Sequence, residues 1–203
     1  MHIIPLGQCC AITCLLQNLK LKKETSLFEW FVSTSLKSIT EVVKKMGNNE
    51  EINIFQKNYQ VAILDDSIYS GHYSIIEYKD IFQRRSKRFL ETIKDGSEIL
   101  FIRFERIGIK IDECNINTIT NFLETIKKIN PIISCKFLLL QEVNNINEFI
   151  PLIHENIVIK PIDKSISDTY VTSKEINTEF KKNLSEIGVD LTDTSNIVLT
   201  DKD

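Results

Sequence analysis

Two segments, 99–104 and 136–143, each hold an unbroken apolar run, 99–102 and 137–140, and between them residues 116–129 carry Ile119, Phe122, Leu123 and Ile126 on one stripe. A strand covered on both faces reads as a continuous apolar run, whereas a helix covered on one face reads as a stripe of period 3.6. Strand, helix and strand in that succession predict a sheet covered by helices, so the class is α/β or α+β.

The remaining elements follow the same reasoning. Ala11, Cys14, Leu15 and Leu19 recur at helical spacing after Pro5-Leu6-Gly7, predicting a short helix from 8 or 9 to 19 with Cys9 and Cys10 in its first turn. Ser35 as N-cap and Gly47 as stop bracket a second helix, with Leu36, Ile39, Val43 and Met46 inward. Strands are expected at 59–64 and 68–74 around Asp65-Asp66-Ser67, with Gly71-His72 near the middle of the second. From Tyr78 a helix is expected with Ile81, Phe82, Arg85, Phe89 and Ile93 on one stripe and Gly96 at its end. Asn115 caps the 116–129 helix. A strand at 156–160 and a helix at 174–187, opened by Thr172-x-x-Glu175 and closed by Gly188, complete the reading. No repeat or low-complexity linker divides the 203 residues, which are expected to form a single domain, 1–203.

Lys and Arg number 25 against 28 Asp and Glu, a net charge of −3, which offers no global drive toward nucleic acid or an anionic membrane. The basic run Gln83-Arg84-Arg85-Ser86-Lys87-Arg88 looks like a targeting or nucleic-acid patch. It falls on a predicted helix with Asp80 and Glu91 at pairing distance, so a solvated face with ion pairs is the stronger expectation. Five cysteines, two of them adjacent, form no disulfide framework, and no cationic leader opens the chain; a reducing compartment, cytoplasm or nucleus, is expected. No apolar run approaches the length of about 18 residues that a membrane helix needs.

The residues that can carry chemistry are a cysteine at a helix start and one of three histidines. A thiolate attacks a carbonyl, and a helix N-terminus can lower a cysteine pKa from about 8.5 to roughly 3.5–7.5. Either Cys9 or Cys10 fits by position alone; a small buried cysteine with no chemistry fits as well. Cys9 and Cys14 are expected in the core. His2 is read at a frayed terminus and His154 at the surface. Cys10-x-x-x-Cys14 with Cys114, Cys135 and His72 offers zinc-ligand types, but there is no Cys-x-x-Cys pair and the members are scattered, so neither metal nor cofactor is expected. No phosphate-cradling Gly loop or serine nucleophile elbow is present.

Leu6-Gly7-Gln8-Cys9-Cys10, the basic segment Leu19-Lys20-Leu21-Lys22-Lys23-Glu24 and Leu27-Phe28-Glu29-Trp30 together resemble the opening of a little-characterised family of papain-like cysteine peptidases. That opening reads Leu-Gly, two variable residues, Cys, then a Leu-rich basic stretch and Pro-Phe-Asp-Trp. The likeness continues through Tyr69-Ser70-Gly71-His72, Arg84-Arg85, Arg88-Phe89-Leu90 and Ile99-Leu100-Phe101-Ile102-Arg103, covers about residues 3 to 105, and weakens beyond. Leu27, Glu29 and Tyr73 depart from the family's Pro, Asp and Asp.

The resemblance implies a papain-like core, with the cysteine-bearing N-terminal helix packed on a central sheet flanked by helices. It places the nucleophile on Cys10, separated from Gly7 by two residues, and the general base on His72. Glu105, at the end of the strand after His72, becomes the candidate orienter of the imidazole, with Asp112 and Asn115 as fallbacks. Gln8 and the Cys10 N–H are candidate oxyanion donors, and Trp30 is a candidate substrate contact that otherwise packs on the first helix. The implied activity is hydrolysis of an amide, isopeptide or ester in a protein or peptide substrate. The rival expectation is a non-catalytic interaction protein on the same fold, or a module binding a small anionic ligand or nucleotide through Arg84, Arg85, Arg88 and Arg103.

Overall fold

The computed structural model describes residues 1–8, 10–22, 24–65, 67–108, 114–164 and 174–191. In chain order their elements are β1 (His2–Pro5), α1 (Ala11–Asn18), β2 (Val32–Ser33), α2 (Leu36–Gly47), β3 (Ile54–Lys57), β4 (Gln60–Ile63), β5 (Ile68–Ser70), α3 (Ile75–Lys94), β6 (Ile99–Glu105), α4 (Ile116–Ile129), β7 (Cys135–Val143), β8 (Leu152–His154), β9 (Ile157–Asp163) and α5 (Lys174–Glu186), with a 3-10 turn at Ile146–Glu148. Cys9, Lys23, Asp66, Asp112 and Thr172, all used in the sequence reading, lie outside the described residues.

The continuous apolar runs are the middle of a sheet ordered β1-β6-β7-β9-β8, in which β1, β6, β7 and β9 are parallel and β8 closes one edge antiparallel. Alternation along β6 divides its side chains between two apolar clusters. Ile99 and Phe101 pack with residues of α2, α3 and α4, while Leu100, Ile102 and Phe104 pack with α1 and α5. Burial on both faces is why these strands read as unbroken apolar runs. A second, antiparallel sheet, β2-β5-β4-β3, is formed between α1 and α3. The fold is therefore mixed α/β, and among the described residues no helix is long and apolar enough to cross a membrane.

Caps fixed most helix ends where the sequence reading put them. Ser35 accepts from the Lys37 N–H, and Asn115 from the N–H groups of Asn117 and Thr118. Four readings are corrected. His2 is no frayed end but the first residue of β1, with its ring 4.0 Å from Asp95. Gly71-His72 lies beyond β5, in the loop before α3, because β5 ends at Ser70. Helix α3 starts at Ile75, three residues before Tyr78, where Ser74 and Glu77 make a reciprocal capping box. Strand β9 continues to Asp163 through Pro161, although a proline reads in sequence as a stop.

The parallel strands end together at one rim, where Gly7 and Gln8 follow β1 and Arg106 follows β6. Open α/β sheets bind ligands at this rim, where loops and helix N-termini converge. The apolar base below it holds the strands in register, and Phe122, fully buried, meets Phe101 edge-on at 4.9 Å and Phe137 at 5.9 Å. Phe122→Ala should cost about 3–5 kcal/mol in urea denaturation, and Ser74→Ala, which removes only the α3 cap, about 1 kcal/mol.

Candidate functional site

The site begins at Gly7. A Cβ placed there would lie 2.7 Å from the Phe31 carbonyl oxygen and 2.8 Å from that of Phe28, so only glycine lets the turn after β1 meet the 27–31 turn backbone to backbone. The first turn presents Cys10; the second presents Trp30, whose own φ of 65° is left-handed and unfavourable for a bulky side chain. The Trp30 carbonyl accepts from Ser70 Oγ at 2.7 Å, and Ser70 Oγ in turn accepts from the His72 N–H at 3.1 Å. Loop and strand end are thereby tied together on the far side of the turn.

Cys10 is the N-cap of α1 and is partly exposed; its carbonyl accepts from the Cys14 N–H, but no side chain caps the helix. Helices α2, α3 and α4 are all capped by side chains. Among the described residues no side chain caps α1, and Cys10 stands at the positive end of its dipole. Gln8 is buried at 1% exposure; its Oε1 accepts from the Arg106 N–H, while its Nε2 has no hydrogen-bond partner. Cys14, expected in the core, is partly buried and packs against the apolar cluster of α1 and α5, in hydrogen-bonding reach of Cys10; burial and the Cys10 charge push its thiol up, and Lys22 pulls it down. Cys114 and Cys135 are buried, and burial pushes the Cys135 thiol up to about 11.

His72 is exposed, and its ring meets Trp30 edge-on at 5.4 Å. Trp30 also carries the Lys22 ammonium at 5.7 Å from its ring centre, and Lys22 pairs with the buried Glu29 at 3.0 Å. Contacts join Cys10 to Cys14 at one end and Lys22 through Trp30 to His72 at the other; Lys22 acts on Cys14 through its field, and thiol and imidazole share no hydrogen bond. Sequence reasoning missed Lys22 and Ser70; the pairing of a basic residue with Glu29 seven positions on was the one signal for Lys22.

The remaining candidates divide. Glu105 is 1% exposed and accepts from Arg103 Nε at 3.0 Å, its other oxygen being unpartnered; it does not meet His72. Arg103, fully buried, is no ligand contact on the surface. Arg85 is buried as well, donating to the Tyr73 hydroxyl at 3.2 Å. Arg88 donates to the Thr25 carbonyl at 2.8 Å and stands 3.6 Å from Glu24. Only Arg84 and Lys87 take the expected exposed positions, Lys87 pairing with Glu91 at 3.9 Å. The four arginines do not converge on one ligand, and among the described residues no group of three or more His, Cys, Asp or Glu is arranged to hold a metal ion.

A cleft of about 410 Å³ runs along the outer edge of β1, between α3 and the end of α1. Residues 2 and 6 donate to β6, so by alternation Ile3 turns its N–H and C=O away from the sheet toward this cleft. Lys22 and Glu29 line the cleft at the side of Trp30. The chain matches no family model, no curated protein and no solved structure.

Two outcomes follow from this geometry. Gly7→Ala must push apart two backbones rather than a flexible side chain, and should cost about 1–3 kcal/mol while changing Trp30 fluorescence; an unchanged urea midpoint would refute the close approach. Burial holds the Glu29 carboxyl above its usual 4.5 despite the pull of Ser26 and Lys22. An acid with a raised folded value contributes stability fully below 4.5 and loses it as pH rises through that value. The stability of Glu29→Gln relative to the parent should therefore climb between about pH 4 and 7 in urea titrations, and a falling difference would mean that the Lys22 attraction outweighs burial.

Proposed function

We propose that the protein is a papain-like thiol hydrolase in which Cys10 attacks an amide, isopeptide or ester carbonyl and His72 carries the proton. The observation that bears most of the weight is the uncapped start of α1 at a partly exposed Cys10, with the unpartnered Gln8 Nε2 two residues away. A thiolate is favoured at a helix N-terminus, and a buried donor left without a partner costs free energy unless something it serves arrives. An oxyanion is such a group.

The Cys10 thiol gives its proton to His72 and its sulfur bonds to the carbonyl carbon. The oxyanion accepts from the Cys10 N–H and Gln8 Nε2, and collapse expels the leaving group as His72 returns the proton. Water, deprotonated by His72, then cleaves the thioester and restores the thiol. Catalytic hydrogen bonds are often long before substrate binds. Glu105, committed to Arg103, has no part in this dyad.

A polypeptide substrate is supported by the open edge of β1. An extended chain laid there can exchange main-chain hydrogen bonds with Ile3, as strands do when they add to a sheet. A non-catalytic interaction protein on the same fold is the rival, and it needs no activated thiol.

Mass-spectrometric alkylation separates the two. Cys10 should react faster than Cys9, Cys14, Cys114 and Cys135 at about pH 6–7, and His72→Ala should move its alkylation curve to higher pH. Equal rates at all five thiols, or an unmoved curve, would sink the hydrolase in favour of the interaction protein.

A further inference from the structure

Arg103 stands on β6 with no exposed surface, yet it carries a full charge. Such a group is stable only if its charge is balanced and each of its donors is used. Glu105 balances it through Nε at 3.0 Å. The other donors all leave β6. Nη1 reaches the Leu6 carbonyl at 3.3 Å, the Gly7 carbonyl at 3.5 Å and Ser33 Oγ at 2.7 Å, and Nη2 reaches the Ser33 carbonyl at 3.0 Å. Ser33 Oγ itself donates to the Gly7 carbonyl, closing a ring of polar contacts.

The identity of those acceptors matters. Leu6 and Gly7 form the turn that ends in Cys10. Ser33 belongs to β2 and lies opposite Ile68 of β5, two residues before Ser70, whose hydroxyl holds both the Trp30 carbonyl and the His72 N–H. The nucleophile's turn is thus an extension of the parallel sheet and the histidine's loop an extension of the antiparallel one, and the Arg103 side chain bonds to both. A planar guanidinium fixes the relative direction of its acceptors, which an ammonium on a flexible stem does not.

We infer that Arg103 is a positioning residue: with Glu105 as counter-charge, it sets the separation of Cys10 from the Trp30–His72 pair by locking the two sheets at Gly7 and Ser33. The functional half of this statement rests on the thiol reading above; the geometric half does not.

Both halves are testable on the full chain. Trp30 is the only tryptophan, so energy transfer from it to a dansyl-type dye on Cys10 reports their separation when Cys9 and Cys14 are serine. Arg103→Met alone strands a buried carboxylate, so the neutral pair Arg103→Met with Glu105→Met is used beside Arg103→Lys, which keeps the charge but not the fork. In the neutral pair, a cooperative urea transition should persist while the transfer efficiency changes and its distance distribution broadens. In the same background, without the dye, His72→Ala should no longer move the Cys10 alkylation curve, and Arg103→Lys should fall between this pair and the parent. If the neutral pair does not fold, Arg103→Lys alone decides, by the same two readouts. Parent-like transfer and a parent-like response to His72→Ala in a folded variant would overturn the inference. Should His72→Ala leave the curve unmoved in the parent, the thiol reading falls by itself, and the transfer measurement still decides whether Arg103 sets the distance.

Discussion

Two turns meet at Gly7 with no side chain between them, and nearly everything at the rim depends on that approach. With both Phe28 and Phe31 carbonyls inside 3 Å of where a Cβ would stand, the contact tolerates nothing larger than hydrogen. It brings carbonyl groups together in a buried place, which is unfavourable unless donors are supplied. Ser33 Oγ and Arg103 supply them to Gly7, and Ser70 Oγ supplies one to Trp30. The polar interior near the rim is thus a consequence of backbone packing, and the left-handed Trp30 is held by the same arrangement.

Buried charge is handled in the same economical way on both sides of that contact. Arg103 and Glu105 lie wholly inside, Glu29 pairs with Lys22, and Glu142 takes the Ile107 N–H at 2.8 Å and stands 3.4 Å from Arg106. Pairs of this kind add little net stability compared with apolar residues of equal volume, but each fixes an orientation. Below the rim the packing of the sheet is dominated by aliphatic and aromatic side chains.

What the sequence disclosed divides along a physical line. Helices announced themselves because periodicity and caps are local, as Ser35, Asn115 and the α4 stripe show. Strands β6 and β7 were legible because burial on both faces leaves continuous apolar runs. Strands β1, β2, β3 and β8 were not, since two to four residues carry no period and their pairing is set by partners up to about a hundred positions away. At the site, Cys10, His72, Gln8 and Trp30 were nameable from type and spacing. The fate of Arg103 and Glu105 was not, because two charged residues at alternate positions of a strand look alike whether they face solvent or each other. Gly7 stood in the motif all along, but only the facing carbonyls reveal its purpose.

The thiol pair shows how position on one helix separates two similar groups. Cys10 and Cys14 are one turn apart, and a negative charge on Cys10 disfavours one on Cys14. Burial and the neighbouring Cys10 both oppose a charge on Cys14, while Lys22 and a backbone hydrogen bond favour it. The positive end of the helix dipole acts at the helix start and fades within a turn. Cys10 therefore stands where that field is strongest and Cys14 where it has faded. Lys22, the cation that eases a charge on Cys14, is also the one that pairs with Glu29 at 3.0 Å on the wall of the β1 cleft, so one side chain couples the helix to the cleft.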